Sequence, residues 1–343
     1  MTTDSASATA RSLRVAAFTG GAAVASARFR VRQYIAPLAS LDITLCEYWP
    51  SLGTYPPHCK VLRPAWLIGT LTQRLPQLAA GWRADISLLQ REIVSTLPTL
   101  EGWTRRPRLV DIDDSVHLYH GGRAARRMAA LADLVVVGND WLAEIWQRWN
   151  PAVEILPTAV ETDAYRPASL PERPTIGWIG SAGNLPYLSD IAPALARVVD
   201  RFPKTLIAVC CDRPPDLPGL PVRFTPWSAA AEAEFLASIT LGLMPLRDGP
   251  WERGKCSFKM LQYMAAGRPC VVSPVGMNND LLGTAELGLA AATTGEWAEA
   301  LSSLLADRDG AARMGAAGRV VAETRYSVKV LVPRLAELIR RLV

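Results

Sequence analysis

A chain of 343 residues, half of them hydrophobic, can bury a large core and is more readily two domains than one. Its net charge of +5 is mild, and no RNA- or DNA-binding motif occurs in it. The six cysteines (Cys46, Cys59, Cys210, Cys211, Cys256, Cys270) contain no C-x-x-C pair and two are adjacent, which suits neither a zinc site nor a disulfide framework and points to a reducing compartment.

Residues before Ser12 read as a disordered leader. With an acid near the start and no unbroken apolar core, the N-terminus does not read as a signal peptide. No stretch reaches the roughly 18 apolar residues that a membrane span needs. A cytoplasmic protein is expected.

From there, strand-like and helix-like runs alternate. Strands are predicted at 14–18, 42–48, 86–90, 108–112, 134–138 and 153–157, with helices near 26–40, 64–80, 121–131 and 141–149. After the proline-rich stretch 164–175 the pattern restarts, with strands at 175–180, 205–211, 222–227, 241–246 and 269–274 and helices near 187–201, 229–238, 257–266 and 296–306. Residues 326–343 read as an amphipathic helix. Such alternation implies two parallel sheets covered by helices, an α/β architecture. Ligands bind at the carboxyl ends of strands in such sheets, so two of them facing each other would form a cleft. Gly20-Gly21, Asp113-Asp114, Gly180-Ser181, Trp227 and the loop after 241–246 all follow predicted strands.

That last loop is the most informative part of the chain. In PLRDGPWERGKCSFKMLQYMAAGRPCVVSPVG the predicted helix starts near Ser257, and Arg253, Lys255 and Lys259 cluster around its start. Helix N-termini carry partial positive charge and favour acids, so cations there suit a bound anion. A phosphate would meet the lysines and the N–H groups together, with Gly254 allowing close approach. Solvated lysines balanced by Glu252 and Asp248 are the alternative.

The stretch GLMPLRDGPWERGKCSFKMLQYMAAGRPCVVSPVG, with VVVGNDWLAE (135–144) and ILPTAVETDAYRP (155–167), resembles family 4 glycosyltransferases of the GT-B fold. It resembles especially a bacterial branch carrying the GKCSFK variant. The likeness runs over roughly Arg14 to Tyr326; it is most specific from Gly242 to Gly276 and weak before residue 110. It implies two Rossmann-like domains facing across a cleft, 12–168 for the acceptor and 169–325 for the nucleotide sugar. The helix 326–343 would cross back over their joint. It also implies a retaining transfer from a nucleotide-sugar donor to a glycan, lipid-linked or small-molecule acceptor, without a metal or other cofactor.

On this resemblance, Gln262 stands where the family has the second of two glutamates, and Gly254 where it has the first. Glu252 and Asp248 are the carboxylates left to replace the latter. The turn GSAGNLPY lacks the family's Arg and Lys, which leaves Lys255 and Lys259 to neutralise the diphosphate. Asp113 stands where many members have His, followed by Asp114 and His117; these three are the sugar or acceptor candidates. Gln262 and Trp227 would hold the nucleoside, Gly180 and Ser181 would border the diphosphate, and Gly20, Gly21, Asn139, Glu252, Arg253, Gly254 and Ser257 would complete the substrate surface.

Other readings compete. Asp111, Asp113 and Asp114 form a D-x-D cluster that could hold a divalent ion, though that motif belongs to a different transferase fold, and helix capping would also explain Asp113 and Asp114. His117 and His120, three apart, could share a helix face, as could Arg28 and Arg32. No G-x-G-x-x-G follows either first strand, so a nicotinamide enzyme is set aside. A sugar-nucleotide epimerase and a non-catalytic binding protein of the same fold remain open. From Lys60 to Arg127, eleven Lys/Arg against six Asp/Glu interleave with Trp66, Trp82 and Trp103. This face could meet an anionic membrane, nucleic acid or a phosphorylated acceptor, or be an ordinary solvated surface with buried tryptophans.

Overall fold

The computed structural model describes residues 12–22, 24–95 and 97–343, and the leader expected before Ser12 lies outside them. The described chain forms two compact units. The first takes residues up to Val137 with Leu142–Leu156 and Val332–Val343, and the second takes Gly138–Trp141 and Pro157–Leu331.

In the first unit, β1 (Leu13–Phe18), β2 (Ile43–Tyr48), β3 (Ile86–Gln90), β4 (Arg108–Ile112), β5 (Leu134–Val137) and β6 (Val153–Ile155) form one parallel sheet in the order β2-β1-β3-β4-β5-β6. Strands β3, β4 and β5 are buried along their whole length. That is why they read as near-continuous apolar runs rather than alternating ones. The helices are α1 (Ala25–Arg30), α2 (Ile35–Ala39), α3 (Arg63–Gly81), α4 (Arg123–Leu131) and α5 (Asp140–Trp146). The single helix predicted over 26–40 is therefore two. Pro37 has no N–H, and its ring would meet the carbonyl of Gln33, so one helix cannot run through.

In the second unit, β7 (Thr175–Ile179), β8 (Leu206–Cys211), β9 (Val222–Pro226), β10 (Leu241–Met244), β11 (Cys270–Val272) and β12 (Gly288–Ala290) form a second parallel sheet in the order β12-β11-β10-β7-β8-β9. The chain builds outward from β7 to β9, then returns to the other side of β7 at β10. The gap between β7 and β10 is thus the topological switch point, where such sheets take their ligands.

Its helices are α6 (Leu185–Asp190), α7 (Ala192–Arg201), α8 (Ala229–Ala237), α9 (Pro250–Arg253), α10 (Phe258–Ala265), α11 (Met277–Leu282), α12 (Thr294–Ala306) and α13 (Arg308–Val321). One core lies between the sheet and α8, α10 and α13, where Phe235, Leu261, Met264 and Val321 meet Ile179 and Val272. The other lies under α7 and α12, where Leu195, Val198, Trp297 and Leu301 meet Ile176, Trp178 and Val271. The helix predicted at 187–201 breaks at Ile191, because Pro193 occupies the first turn of α7. The last helix, α14 (Val328–Arg340), is shorter than the predicted 326–343; its residues from Val332 onward belong to the first unit.

Candidate functional site

The loop between β10 and α10 is built from the backbone outward. Pro250 opens the short helix α9 inside what the sequence suggested was irregular, and Arg253 ends it. The Asn139 amide donates to the carbonyls of Arg253 and Lys255, at 3.2 and 3.0 Å. On its other side, Gly276 has φ +52, and a Cβ there would lie 2.7 Å from the Arg253 carbonyl oxygen. Only glycine fits both the conformation and the space. Gly254 is buried with an ordinary φ of −79, so its role is packing rather than unusual geometry. Ser257 sits at the start of α10 with φ 48, but no side chain caps that helix. Its buried hydroxyl instead donates to Asn278 Oδ1 at 2.7 Å. Asn139 and Ser257 thus hold the loop in shape.

Of the three cations expected here, Arg253 is already neutralised. It donates to both oxygens of Asp248, at 2.7 and 3.0 Å, and its guanidinium lies 5.3 Å from the Trp141 ring. The hydrogen bond from Arg253 also holds the Asp248 carboxyl below its ordinary pKa. The two lysines are placed differently. Lys255 Nζ lies 5.7 Å from the Trp251 ring, and no described carboxylate pairs with it. Lys259 extends from the first turn of α10 over Gly180, and its Nζ lies 5.6 Å from the Trp178 ring. A Cβ at Gly180 would come within 2.6 Å of Lys259 Cε and 2.9 Å of the Trp178 ring. The ammonium therefore stands at the carboxyl end of β7, at the switch point.

The turn after β7 is less open to an anion than the sequence suggested. Asp212 Oδ1 accepts the Ala182 N–H at 2.6 Å, and Ser181 Oγ accepts from Asn184 at 2.9 Å. A carboxylate already occupies the donor there. Glu252 accepts a hydrogen bond from the Tyr187 hydroxyl.

Behind α10, Gln262 is buried, and its amide donates to the Tyr165 hydroxyl at 3.3 Å. Tyr165 in turn donates to Glu232 Oε1 at 2.7 Å, and Trp227 Nε1 donates to Glu232 Oε2 at 3.2 Å. This ties the half-exposed Trp227 to Gln262 through two residues not singled out from sequence. Tyr165 lay within the resembling stretch 155–167, but nothing local marked Glu232 as its buried partner.

In the first unit, Arg91, with φ +62, carries its guanidinium to Asp113 at 2.6 Å and Asp114 at 3.5 Å. Burial opposes the Arg91 charge, but Asp113 and then Asp114 more than offset this and raise its pKa. Sequence reasoning missed Arg91, since a lone arginine after a strand carries no local signal. Asp111 is separate, paired through a 2.5 Å contact with the buried Arg30. Asp111 and the Asp113–Asp114 pair thus bind different arginines, and among the described residues no cluster of His, Cys, Asp or Glu forms a metal-ligand set. His117 packs against the Trp149 ring, with centroids 6.5 Å apart, and burial followed by Arg148 lowers its pKa. It does not share a helical face with His120, because the backbone turns extended at Tyr119 and left-handed at His120. Gly20 accepts from the Thr54 hydroxyl, and Gly21 has φ +131. Arg32 lies beyond α1 and pairs with Glu47 at 2.8 Å, so it does not share a face with Arg28.

A cavity of 380 Å³ opens beside the loop, lined by Tyr187, Asp190, Arg247, Asp248, Ser273 and Trp297. Its arginine is paired with Asp190 at 2.7 Å. Lys259, reaching over Gly180, marks the switch point.

Residues 173–307, which carry this loop, match the family model of glycosyl transferases, group 1. The whole chain superposes on solved structures. Sucrose-phosphate synthase from Thermosynechococcus elongatus aligns with TM-score 0.74 and 16% identity over 96% of this chain and 99% of that one. The Anabaena protein HepE, in complex with UDP and glucose, gives 0.69 and 14% over 96% and 100%. WaaG, a glycosyltransferase involved in lipopolysaccharide biosynthesis, gives 0.65 and 14% over 95% and 99%. The fold is GT-B. No protein of curated function matches by sequence.

Proposed function

We propose that this protein is a retaining glycosyltransferase that moves a sugar from a nucleoside diphosphate donor to a glycan, lipid-linked or small-molecule acceptor, without a metal ion. The observation that carries this reading is the ammonium of Lys259 at the carboxyl end of β7, rising from the first turn of α10. As the glycosidic bond breaks, negative charge grows on the leaving diphosphate. Preorganised cations and helix N–H groups stabilise that charge.

The donor is assigned to the second unit. Gln262 and the Trp227 region take the nucleoside, Gly180 and Ser181 flank the diphosphate, and Lys255 and Lys259 neutralise it. Glu252, which accepts from the Tyr187 hydroxyl whereas Asp248 is ion-paired with Arg253, takes the place of the family's first acid toward the transferred sugar. The acceptor is assigned to the first unit, where Arg91 pairs with Asp113 and Asp114 and where His117 and the Gly20-Gly21 turn also lie. Retention follows from the resemblance of residues 242–276 to family 4 enzymes. HepE holds UDP and glucose on the same fold, so UDP-glucose is the first donor to test.

A panel of nucleotide sugars measured by thermal shift tests the reading. A bound donor at 100 times its dissociation constant should stabilise the protein by about 2.7 kcal/mol. Lys259→Ala should then lower transfer from that donor on the order of 100-fold, as loss of a preorganised donor does elsewhere. A melting point unmoved by every nucleotide and nucleotide sugar overturns the assignment. Conversion of the donor into another sugar nucleotide without acceptor would replace transfer with epimerisation.

A further inference from the structure

The outer face of α3 is apolar. Most surface helices turn charged residues to water, yet here the exposed positions Ala65, Ile68, Thr72, Leu75 and Ala79 follow one another at helical spacing and include no charge, and exposed Val61 precedes the helix. Val61 is 84% exposed, Ile68 63% and Leu75 46%, and Leu62 and Pro76 widen the stripe. The opposite face holds the helix to its unit through Thr70, Leu78 and Gly81, and through Arg74, which donates to the carbonyls of Tyr48, Thr19 and Ile93. The stripe is therefore surplus to the fold.

Two further features decide what could cover it. No Asp or Glu occurs between Glu47 and Asp85, whereas His58, Lys60, Arg63 and Arg83 stand exposed along this segment. The preceding loop also exposes Trp49, Leu52 and Tyr55. Large exposed apolar residues are concentrated between residues 49 and 119, and few lie in the second unit. An apolar stripe flanked by cations and amphipathic aromatics, with no carboxylate to repel phosphate, matches the interfacial zone of an anionic bilayer. Among the described residues no helix is long and apolar enough to cross a membrane. We propose that the outer face of α3, with the loop before it, docks peripherally on anionic lipid, the stripe entering the headgroup boundary and Lys60 and Arg63 meeting lipid phosphate. Trp82 and Trp103, which the sequence left as either membrane-facing or buried, are both exposed, and Trp82 Nε1 donates to the Trp103 carbonyl at 2.9 Å.

The test is flotation of the full chain with vesicles of phosphatidylcholine alone and with vesicles containing about one third phosphatidylglycerol. The expected result is binding to the anionic vesicles only, weakened by salt and reduced at least about tenfold by the paired change Ile68→Glu with Leu75→Glu. Both positions are exposed, and an unchanged melting point shows that the variant folds. Lys60→Glu with Arg63→Glu should weaken binding while leaving the stripe intact. The proposal is overturned if the wild-type chain floats with neither vesicle, or if the stripe variant binds as well as the wild type. It is also overturned if the wild type is a dimer in solution that the stripe variant splits, because a second copy would then be the occupant.

Discussion

Lys259 reaches the end of β7 only because residue 180 has no side chain. The stem crosses the place that a Cβ would fill, and the Trp178 ring beneath blocks retreat on that side. Gly180→Ala should therefore displace the ammonium and lower transfer by on the order of 10- to 100-fold, approaching the loss in Lys259→Ala. The check is a double-mutant cycle. If the glycine acts through the lysine, Gly180→Ala adds little once Lys259 is already alanine; full additivity would show that the glycine has its own role. The lysines were legible in the sequence because cations at a helix start contradict the dipole. The partners that shape the site were not. Arg91 lies more than twenty residues before Asp113, and Glu232 lies far from both Tyr165 and Gln262. Such pairings exist only once the sheets have formed. Arg253 misled for the same reason, since its pairing with Asp248 depends on the turn of α9.

At the scale of elements, strands read more truly than helices. Buried parallel strands announce themselves as short runs of branched apolar residues, and all eleven predicted strands form. Strand β12 was missed because three residues, Gly288–Ala290, carry no period. Helix α13 was missed because Gly310, Gly315 and Gly318 lower its intrinsic propensity. Packing explains two of them. A Cβ at Gly315 would lie 2.2 Å from the Gly267 carbonyl oxygen, and one at Gly318 would lie 3.2 Å from Met264 Cγ. Propensity alone says that Gly315→Ala should stabilise the helix by about 1 kcal/mol. The contact says the reverse: overpacking against backbone should destabilise the protein by about 1 to 3 kcal/mol. A lower denaturant midpoint with an unchanged slope is the expected result. A raised midpoint would show that α13 can move away from α10 at little cost.

Across the whole molecule, the two runs of alternating strand and helix were enough to give two parallel sheets, and the proline-rich stretch between them marked where the second begins. What the pattern could not show is which charges meet which partners. Arginines take up the carboxylates one by one: Arg30 with Asp111, Arg91 with Asp113 and Asp114, Arg106 with Asp133, Arg247 with Asp190, Arg253 with Asp248. The acids that a D-x-D reading would offer to a divalent ion are held by guanidinium groups instead. Lys255 and Lys259 lie over the Trp251 and Trp178 rings, near the start of α10 in sequence. A donor diphosphate bound there would meet two positive charges before any metal arrived, which leaves a divalent ion little to contribute to the leaving group. Transfer should then persist in excess chelator, with turnover within roughly twofold of the untreated protein, well short of the several kcal/mol that loss of a catalytic metal costs. Assay of a chelator-treated, metal-free preparation checks this. Abolished activity that magnesium or manganese restores would overturn the argument, and would require Arg91 to release Asp113 and Asp114 when donor and metal bind.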